Sequence, residues 1–245
     1  MRVLVPAAAR CSHRVIVDSF STRDDLVTHL GMDPGRVDVI PLAAAPPATT
    51  PTPEAALRAQ LRLDRRAVLL SASAKRPHKN LLRVLDALAG MPRERRPLLV
   101  VPGYRTPYES ELKARAEVLG ISADVVWPAW LSEADLEGLY ALAACVIFPS
   151  LYEGFGLPVL EGMQRGVPVA CSNRSSLPEV AGDAALLFDP EDVAAIREAI
   201  ERLLGDAGLR ELLVRRGLER AAAFTWDRTA EQTVVVYDRA RSQRS

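Results

Sequence analysis

The chain has little of several things. Only three cysteines occur in 245 residues, Cys11, Cys145 and Cys171, far apart and with no C-x-x-C pair. That spacing excludes a disulfide framework and a thiolate metal site, and it points to a reducing, cytoplasmic setting. There is no excess charge of either sign, since 31 Lys and Arg balance 31 Asp and Glu. A neutral chain has no general pull toward nucleic acid or an anionic membrane, so no nucleic acid partner is expected and any anion must be held locally. No run of eighteen apolar residues appears, which leaves no membrane-spanning candidate. The small residues Ala7–Ala9 sit behind an apolar stretch too short for a signal peptide, so a helix is expected there and not a cleavage site. G-x-G-x-x-G is missing because position 159 is Val, and G-K-[ST] is missing altogether, which removes the dinucleotide-binding and P-loop readings.

What is there is ordinary globular composition, 49% hydrophobic and 25% charged. Short apolar runs alternate with helical stretches, the pattern of a parallel sheet with helices on its faces. Strands are predicted at residues 14–17, 37–42, 67–73, 97–103, 124–130, 145–150, 168–172 and 185–190. Most are nearly continuous apolar runs, as expected where both faces of a sheet are covered. Helices are predicted in NLLRVLDALAG, YESELKARAEVLG, SEADLEGLYALAA and the three segments that close the chain. Ser132 with Asp135 three residues on marks a helix start. Four prolines between residues 43 and 57 have linker composition. The expected organisation is a small amino-terminal part at residues 1–44, a linker at 45–56, a Rossmann-like α/β domain at 57–223 and a carboxy-terminal helix at 224–245.

The chemistry concentrates in PSLYEGFGLPVLEGMQRGVPVACSNRSSLPEVAGDAALLFDP, which begins at Pro149. A strand ends there, two glycines flank Phe155, and a helix starts near Pro158, whose missing N–H suits a first turn. A glycine-bearing loop that feeds a helix N-terminus exposes backbone N–H groups to an anion, aided by the helix dipole. Glu153 and Glu161, with seven residues between them, can accept hydrogen bonds from sugar hydroxyls on either side of a diphosphate. Taken alone, they could also be a solvated loop carboxylate and a helix-dipole partner. A second strand-to-helix junction carries Lys75, Arg76, His78 and Lys79 just before Asn80. Ligands of open parallel sheets bind at the carboxyl ends of the strands, where both junctions lie.

The segment from Pro149 to Pro190 closely resembles the donor-site signature of the retaining GT-B glycosyltransferases of the large family four, glycosyl transferases group 1. KRPHKNLLRVLDAL resembles that family's phosphate-binding turn. RVIVDSFSTRDDLVTHLGMDPGRVDVIPLA resembles the end of its amino-terminal domain. The resemblance runs from about Arg14 to the end of the chain.

It implies a Rossmann-like parallel sheet with helices on both faces, the carboxy-terminal half of a GT-B enzyme. It implies that Glu153 faces the transferred sugar as the catalytic-site carboxylate, and that Gly154, Phe155, Gly156 and Leu157 offer backbone groups to sugar and phosphate. By the same resemblance Glu161 binds the ribose, Lys79 in the turn that ends at Asn80 serves the diphosphate, and the segment Val125–Trp130, around Trp127, lines the base; Arg76 joins the donor-binding set as a neighbouring cation.

No metal and no cofactor are implied, because the nucleotide sugar is itself the substrate. The remaining partners are an acceptor glycan, lipid or small molecule and an amino-terminal domain or partner chain that completes the site. The setting is cytoplasmic, with a peripheral place at the inner membrane face as the variant. None of His13, His29 and His78 matches the histidine of the family's first domain, most of which is missing.

Departures from the pattern are His78 before the lysine, Ala72 and Ser73 in place of a Gly-containing pair, Pro128 and Ala129 after the base-lining strand, and Gly162 in place of alanine. With fewer fixed cations, Lys75 or Arg76 would have to compensate. The rival reading is a non-catalytic nucleotide-sugar-binding or assembly module. An epimerase or a phosphorylase finds no support beyond shared architecture.

Overall fold

The computed structural model describes residues 4–47 and 49–242. The outermost residues of the predicted terminal segments and position 48 of the proline-rich stretch lie outside them. Among the described residues, all eight predicted segments meet a strand; seven strands are shorter than their apolar runs, and β6 has the expected length but starts two residues earlier.

β3 (Val68–Leu70), β4 (Leu98–Val100), β5 (Val125–Val126), β6 (Ala143–Phe148), β7 (Val169–Ser172) and β8 (Leu186–Phe188) form one sheet in the order β5-β4-β3-β6-β7-β8. Every pairing in it is parallel. β1 (Val15–Val17) and β2 (Val37–Val39) form a separate two-stranded parallel sheet.

The strand period of two sorts the core into two layers. Val68, Leu70, Val146, Phe148, Val169 and Cys171 face one side, under α3 (Glu54–Leu61), α6 (Glu133–Leu142), α7 (Leu157–Gln164) and α8 (Leu177–Ala181). Leu69, Leu99, Cys145, Ile147 and Ala170 face the other, under α4 (Leu81–Ala89), α5 (Tyr108–Val118) and α9 (Val193–Gly205). Continuous apolar strands are required because both faces are covered. Cys145 and Cys171 are free thiols in these layers, and burial pushes each up to about 12, which keeps them protonated and inert.

Helix starts follow their local chemistry. Ser132 caps α6 by accepting from the Asp135 N–H at 3.1 Å. α3 opens at Glu54 after Pro53, earlier than the boundary expected at residue 57, because Pro53 and an acidic first turn are start signals. The proline-rich stretch is pinned where the Thr52 N–H donates to the Ala134 carbonyl at 2.9 Å. A Cβ on Gly138 would come within 2.8 Å of the Thr52 carbonyl oxygen, so glycine there lets the stretch lie on α6.

α1 (Leu4–Cys11) covers the alanines for which a helix was expected. With α2 (Phe20–Leu30) it packs a small cluster around Val17, Met32 and Val37. α10 (Ala207–Ala222) lies against α7, and α11 (Trp226–Ser242) returns to the two-stranded sheet. There Thr229 donates to the Pro41 carbonyl at 2.7 Å, and the Arg239 guanidinium stands 3.5 Å from Asp38. Among the described residues, no helix is long and apolar enough to cross a membrane.

Asp124, just before β5, ties the starts of β5, β4 and β3 together, with Arg66 and Arg96 each 2.6 Å from its carboxylate. Burial pushes this carboxyl up, but the two guanidinium groups outweigh it and hold it below its ordinary value of 3.8. Its stabilising effect is therefore complete above that value and drains away as pH falls through the lowered folded value. Asp124→Asn should cost about 2 to 3 kcal/mol at neutral pH, since it leaves two guanidinium groups without their counter-charge. In urea denaturation, the gap between wild type and variant should close as pH falls below 3.8. A gap independent of pH would assign the loss to packing instead.

Candidate functional site

The chain leaves β3 toward β4 on one side and leaves β6 toward β7 on the other, so the strand order reverses between β3 and β6. Adjacent connections that diverge leave a crevice at the carboxyl ends of these strands, the usual ligand position in such sheets. The two junctions singled out in the sequence flank this crevice.

On the β6 side, the loop from Glu153 to Gly156 turns into α7. Gly156 has φ +110, and a Cβ there would come 2.6 Å from Leu177 Cδ2. Leu177 is fully buried and cannot yield, so both the backbone and the space demand glycine. Ser175 and Ser176 hold the loop. Ser175 Oγ accepts from the Glu153 N–H at 2.9 Å, and Ser176 Oγ donates to the Glu153 and Phe155 carbonyls at 3.1 and 2.8 Å. Phe155 is buried against Phe224, so it contributes backbone and packing. Leu157 opens α7 and packs at the edge of the first core layer.

On the β3 side, a short 3-10 turn over Pro77–Lys79 ends at Asn80, which adopts the left-handed φ of 58. The Asn80 amide donates to the Pro149 carbonyl at 3.0 Å and the Pro190 carbonyl at 2.7 Å. Asn80 thus fastens the two junctions together and aims its neighbour Lys79. The Lys79 ammonium lies 2.5 Å from Glu153 Oε1 and 4.8 Å above the Phe148 ring. Arg76 is exposed, and its guanidinium makes no hydrogen bond among those described, while its carbonyl accepts from the Lys79 N–H at 3.0 Å. Burial, together with Lys79 and Arg76 nearby, lowers the His78 imidazole, so it is neutral at pH 7 and adds no cation.

Lys75 does not stand in as a spare cation. Its side chain is fully buried, 3.2 Å from Glu109, and donates to the Gly103 carbonyl at 2.7 Å. Its work is to fasten the crevice wall, which leaves Lys79 and Arg76 as the cations of the junction.

A cavity of about 330 Å³ continues from the crevice and is lined by Ser73, Pro102, Gly103, Trp130, Leu136 and Glu161, among others. Trp130 is exposed and stacks on Tyr104 with ring centroids 4.9 Å apart. Trp127, expected to line the base, is partly buried against the second core layer and is not among the residues lining this cavity. The aromatic wall is Trp130.

Glu161 is fixed from behind. Its Oε2 accepts from the Tyr140 hydroxyl at 3.0 Å. Burial, reinforced by Glu161, pushes the Tyr140 phenol well above its ordinary value of 10.0, so it remains a donor at any physiological pH. Arg165 lies 4.8 Å over the Tyr140 ring and pairs with Glu137. Tyr140, Arg165, Ser175 and Ser176 were absent from the sequence reading because they do their work through contacts between distant segments. The Ser-Ser pair before Leu177 was the one available signal.

The amino-terminal segment reaches the same loop. Thr22 donates to the Gly154 carbonyl at 3.3 Å, and the Tyr152 hydroxyl donates to Asp25 at 2.7 Å. Glu179, on α8, accepts from the Phe20 and Ser21 N–H groups at 2.9 and 3.0 Å, which caps α2 from another part of the chain. Among the described residues, no cluster of three or more His, Cys, Asp or Glu side chains is placed to hold a metal ion.

A family model described as glycosyl transferases group 1 matches residues 54–220. The chain belongs to this family. Over 163 residues it is 42% identical to the O-antigen chain mannosyltransferase B of Escherichia coli, covering 66% of this chain and 43% of that protein. Over 236 residues it is 33% identical to the MMP alpha-(1->4)-mannosyltransferase of Mycolicibacterium hassiacum, covering 95% of this chain and 55% of that one. The chain thus spans about half the length of the curated relatives it matches.

Among solved structures, Anabaena HepE in complex with UDP and glucose superposes with a TM-score of 0.84 at 21% identity, covering 98% of this chain and 66% of that one. The sucrose-phosphate synthase of Thermosynechococcus elongatus gives 0.83 at 24% identity, covering 98% of this chain and 61% of that one. At such identities the likeness is one of fold, and it matches the group 1 chain to glycosyltransferase architecture.

Gly156→Ala should destabilise the chain by about 2 kcal/mol or more, because a left-handed backbone and an immovable Leu177 both oppose the added methyl. Urea denaturation measures the loss. A neutral result would show that the loop can relax away from α8.

Proposed function

We propose that this chain is the donor-binding half of a retaining glycosyltransferase, which moves a sugar from a nucleotide sugar to an acceptor hydroxyl. The observation that carries the reading is the meeting of Lys79, the Glu153–Gly156 loop and the Glu161–Trp130 cavity at the one reversal of strand order. In this reading the base enters the cavity beside Trp130, and the ribose hydroxyls donate to Glu161. The diphosphate takes Lys79 and loop N–H groups, with Arg76 at its outer edge, and the sugar hydroxyls turn to Glu153.

Departure of the diphosphate needs positive charge that is already in place. The N-terminus of α7 supplies it in place, and Lys79 adds its charge as it turns from Glu153 to the phosphates, so no metal or cofactor is required in this scheme. The acceptor, a glycan, lipid or small molecule, is delivered to the same face of the anomeric carbon. Closing the site needs an amino-terminal domain or a partner chain, which fits a chain half the length of its relatives. Two relatives named as mannosyltransferases make a hexosyl donor, mannosyl first, the one to try. A cytoplasmic setting at the inner membrane face belongs to the same proposal.

The test is calorimetric titration with UDP, GDP and ADP without added metal. One of them should bind. Lys79→Ala should weaken the diphosphate about tenfold or more while leaving the nucleoside nearly unchanged, and Trp130→Ala should weaken both alike. Equal losses for diphosphate and nucleoside in Lys79→Ala would refute the phosphate role. No binding of any nucleotide would move the non-catalytic module ahead.

A further inference from the structure

The Lys79–Glu153 contact raises a question that donor binding alone does not answer. The principal cation of the site is already neutralised, with both side chains 13% exposed and 2.5 Å apart. Lys75 is committed to Glu109, and His78 is held neutral. A diphosphate that reaches Lys79 therefore competes with Glu153 for it, and as the ammonium turns to the phosphates that carboxylate is left less well paired beside an anion. Asp18 worsens the balance, since its Oδ2 would be 3.4 Å from a Cβ on Gly154. Glu153 cannot swing its backbone away, because Ser175 and Ser176 hold its N–H and its carbonyl. Lys79 can stay over the Phe148 ring while its partner changes.

Resting on the donor-site reading above, we propose that Glu153 is a specificity-determining residue that discriminates a nucleotide sugar from a spent nucleoside diphosphate. When the ligand carries a sugar, its hydroxyls donate to Glu153 and replace the hydrogen bond that Lys79 withdrew. When the ligand is the bare diphosphate, nothing replaces it. The phosphate that has lost the sugar also carries more negative charge. Glu153 then competes for Lys79, and the ion pair re-forms as the diphosphate leaves. The resting contact is thus a built-in competitor that favours substrate entry over product retention.

The experiment compares the full chain with Glu153→Gln, by calorimetry, against UDP, GDP and ADP and against UDP-glucose, GDP-mannose and ADP-glucose. Glu153→Gln should tighten the nucleoside diphosphate that binds by about tenfold and should not tighten the matching nucleotide sugar. In a Lys79→Ala background the gain should shrink severalfold, because the competitor has then lost its partner. Circular dichroism and a thermal melt check folding, and Glu153→Ala provides a second variant with the same expected direction.

If wild type binds a diphosphate and neither Glu153 variant binds it more tightly, the inference falls and the donor-site reading stands. An equal gain with and without Lys79 reduces Glu153 to general repulsion and also overturns the exchange. If neither wild type nor variant binds any diphosphate, the donor-site reading and the inference fall together.

Discussion

Two neighbouring parallel strands, β3 and β6, send their connections to opposite sides of the sheet, and that divergence is the constraint from which the site follows. No helix can cover the ends of both strands at once, so a crevice opens where they finish. Asn80 bridges it by donating to Pro149 and Pro190, one carbonyl past the end of β6 and one past the end of β8. With the junctions joined in this way, Lys79 comes to the Glu153 carboxylate, and the cavity with Trp130 and Glu161 lies to one side. Strong local chemistry, a lysine, two glutamates and a glycine turn, becomes a site because backbone topology supplies the empty space.

The sheet was legible in the sequence because each strand is apolar on both faces, and a run such as VLL or CVIF fits few other places. The turn into α7 was legible for a similar reason, since glycine and proline have few equivalents at a strand-to-helix junction. What could not be read was the direction of individual side chains. Trp127 and Trp130 are three residues apart in one apolar segment, and only the register of a two-residue strand decides which of them faces the crevice. Lys75 and Lys79 look alike in a basic turn, yet Glu109 on α5 claims the first and leaves the second to the cleft. Tyr140 carries no local signal at all, because its partner lies 21 residues away.

The departures from the family pattern take on physical meaning in the same frame. A Cβ at Gly162 would meet Val169 at 3.0 Å and Val146 at 3.3 Å, so the valines beneath α7 leave little room for the usual alanine there. Ser73 is of a different kind. It stands where the family pattern has Arg or Thr, belongs to the cavity wall, and keeps a buried hydroxyl with no hydrogen-bond partner among the described residues.

The short helix α8 touches three things at once. Through Leu177 it sets the shape of the loop at Gly156, through Ser176 just before it the loop carbonyls are held, and through Glu179 it caps α2 in the amino-terminal segment. The molecule is therefore less modular than its two sheets suggest. A cut in the proline-rich stretch would look like the natural seam for exchanging halves between relatives, yet it would separate α2 from a cap that lies far downstream. Any recombined chain would have to carry the acid at position 179 together with the foreign α2, as a matched set across the seam.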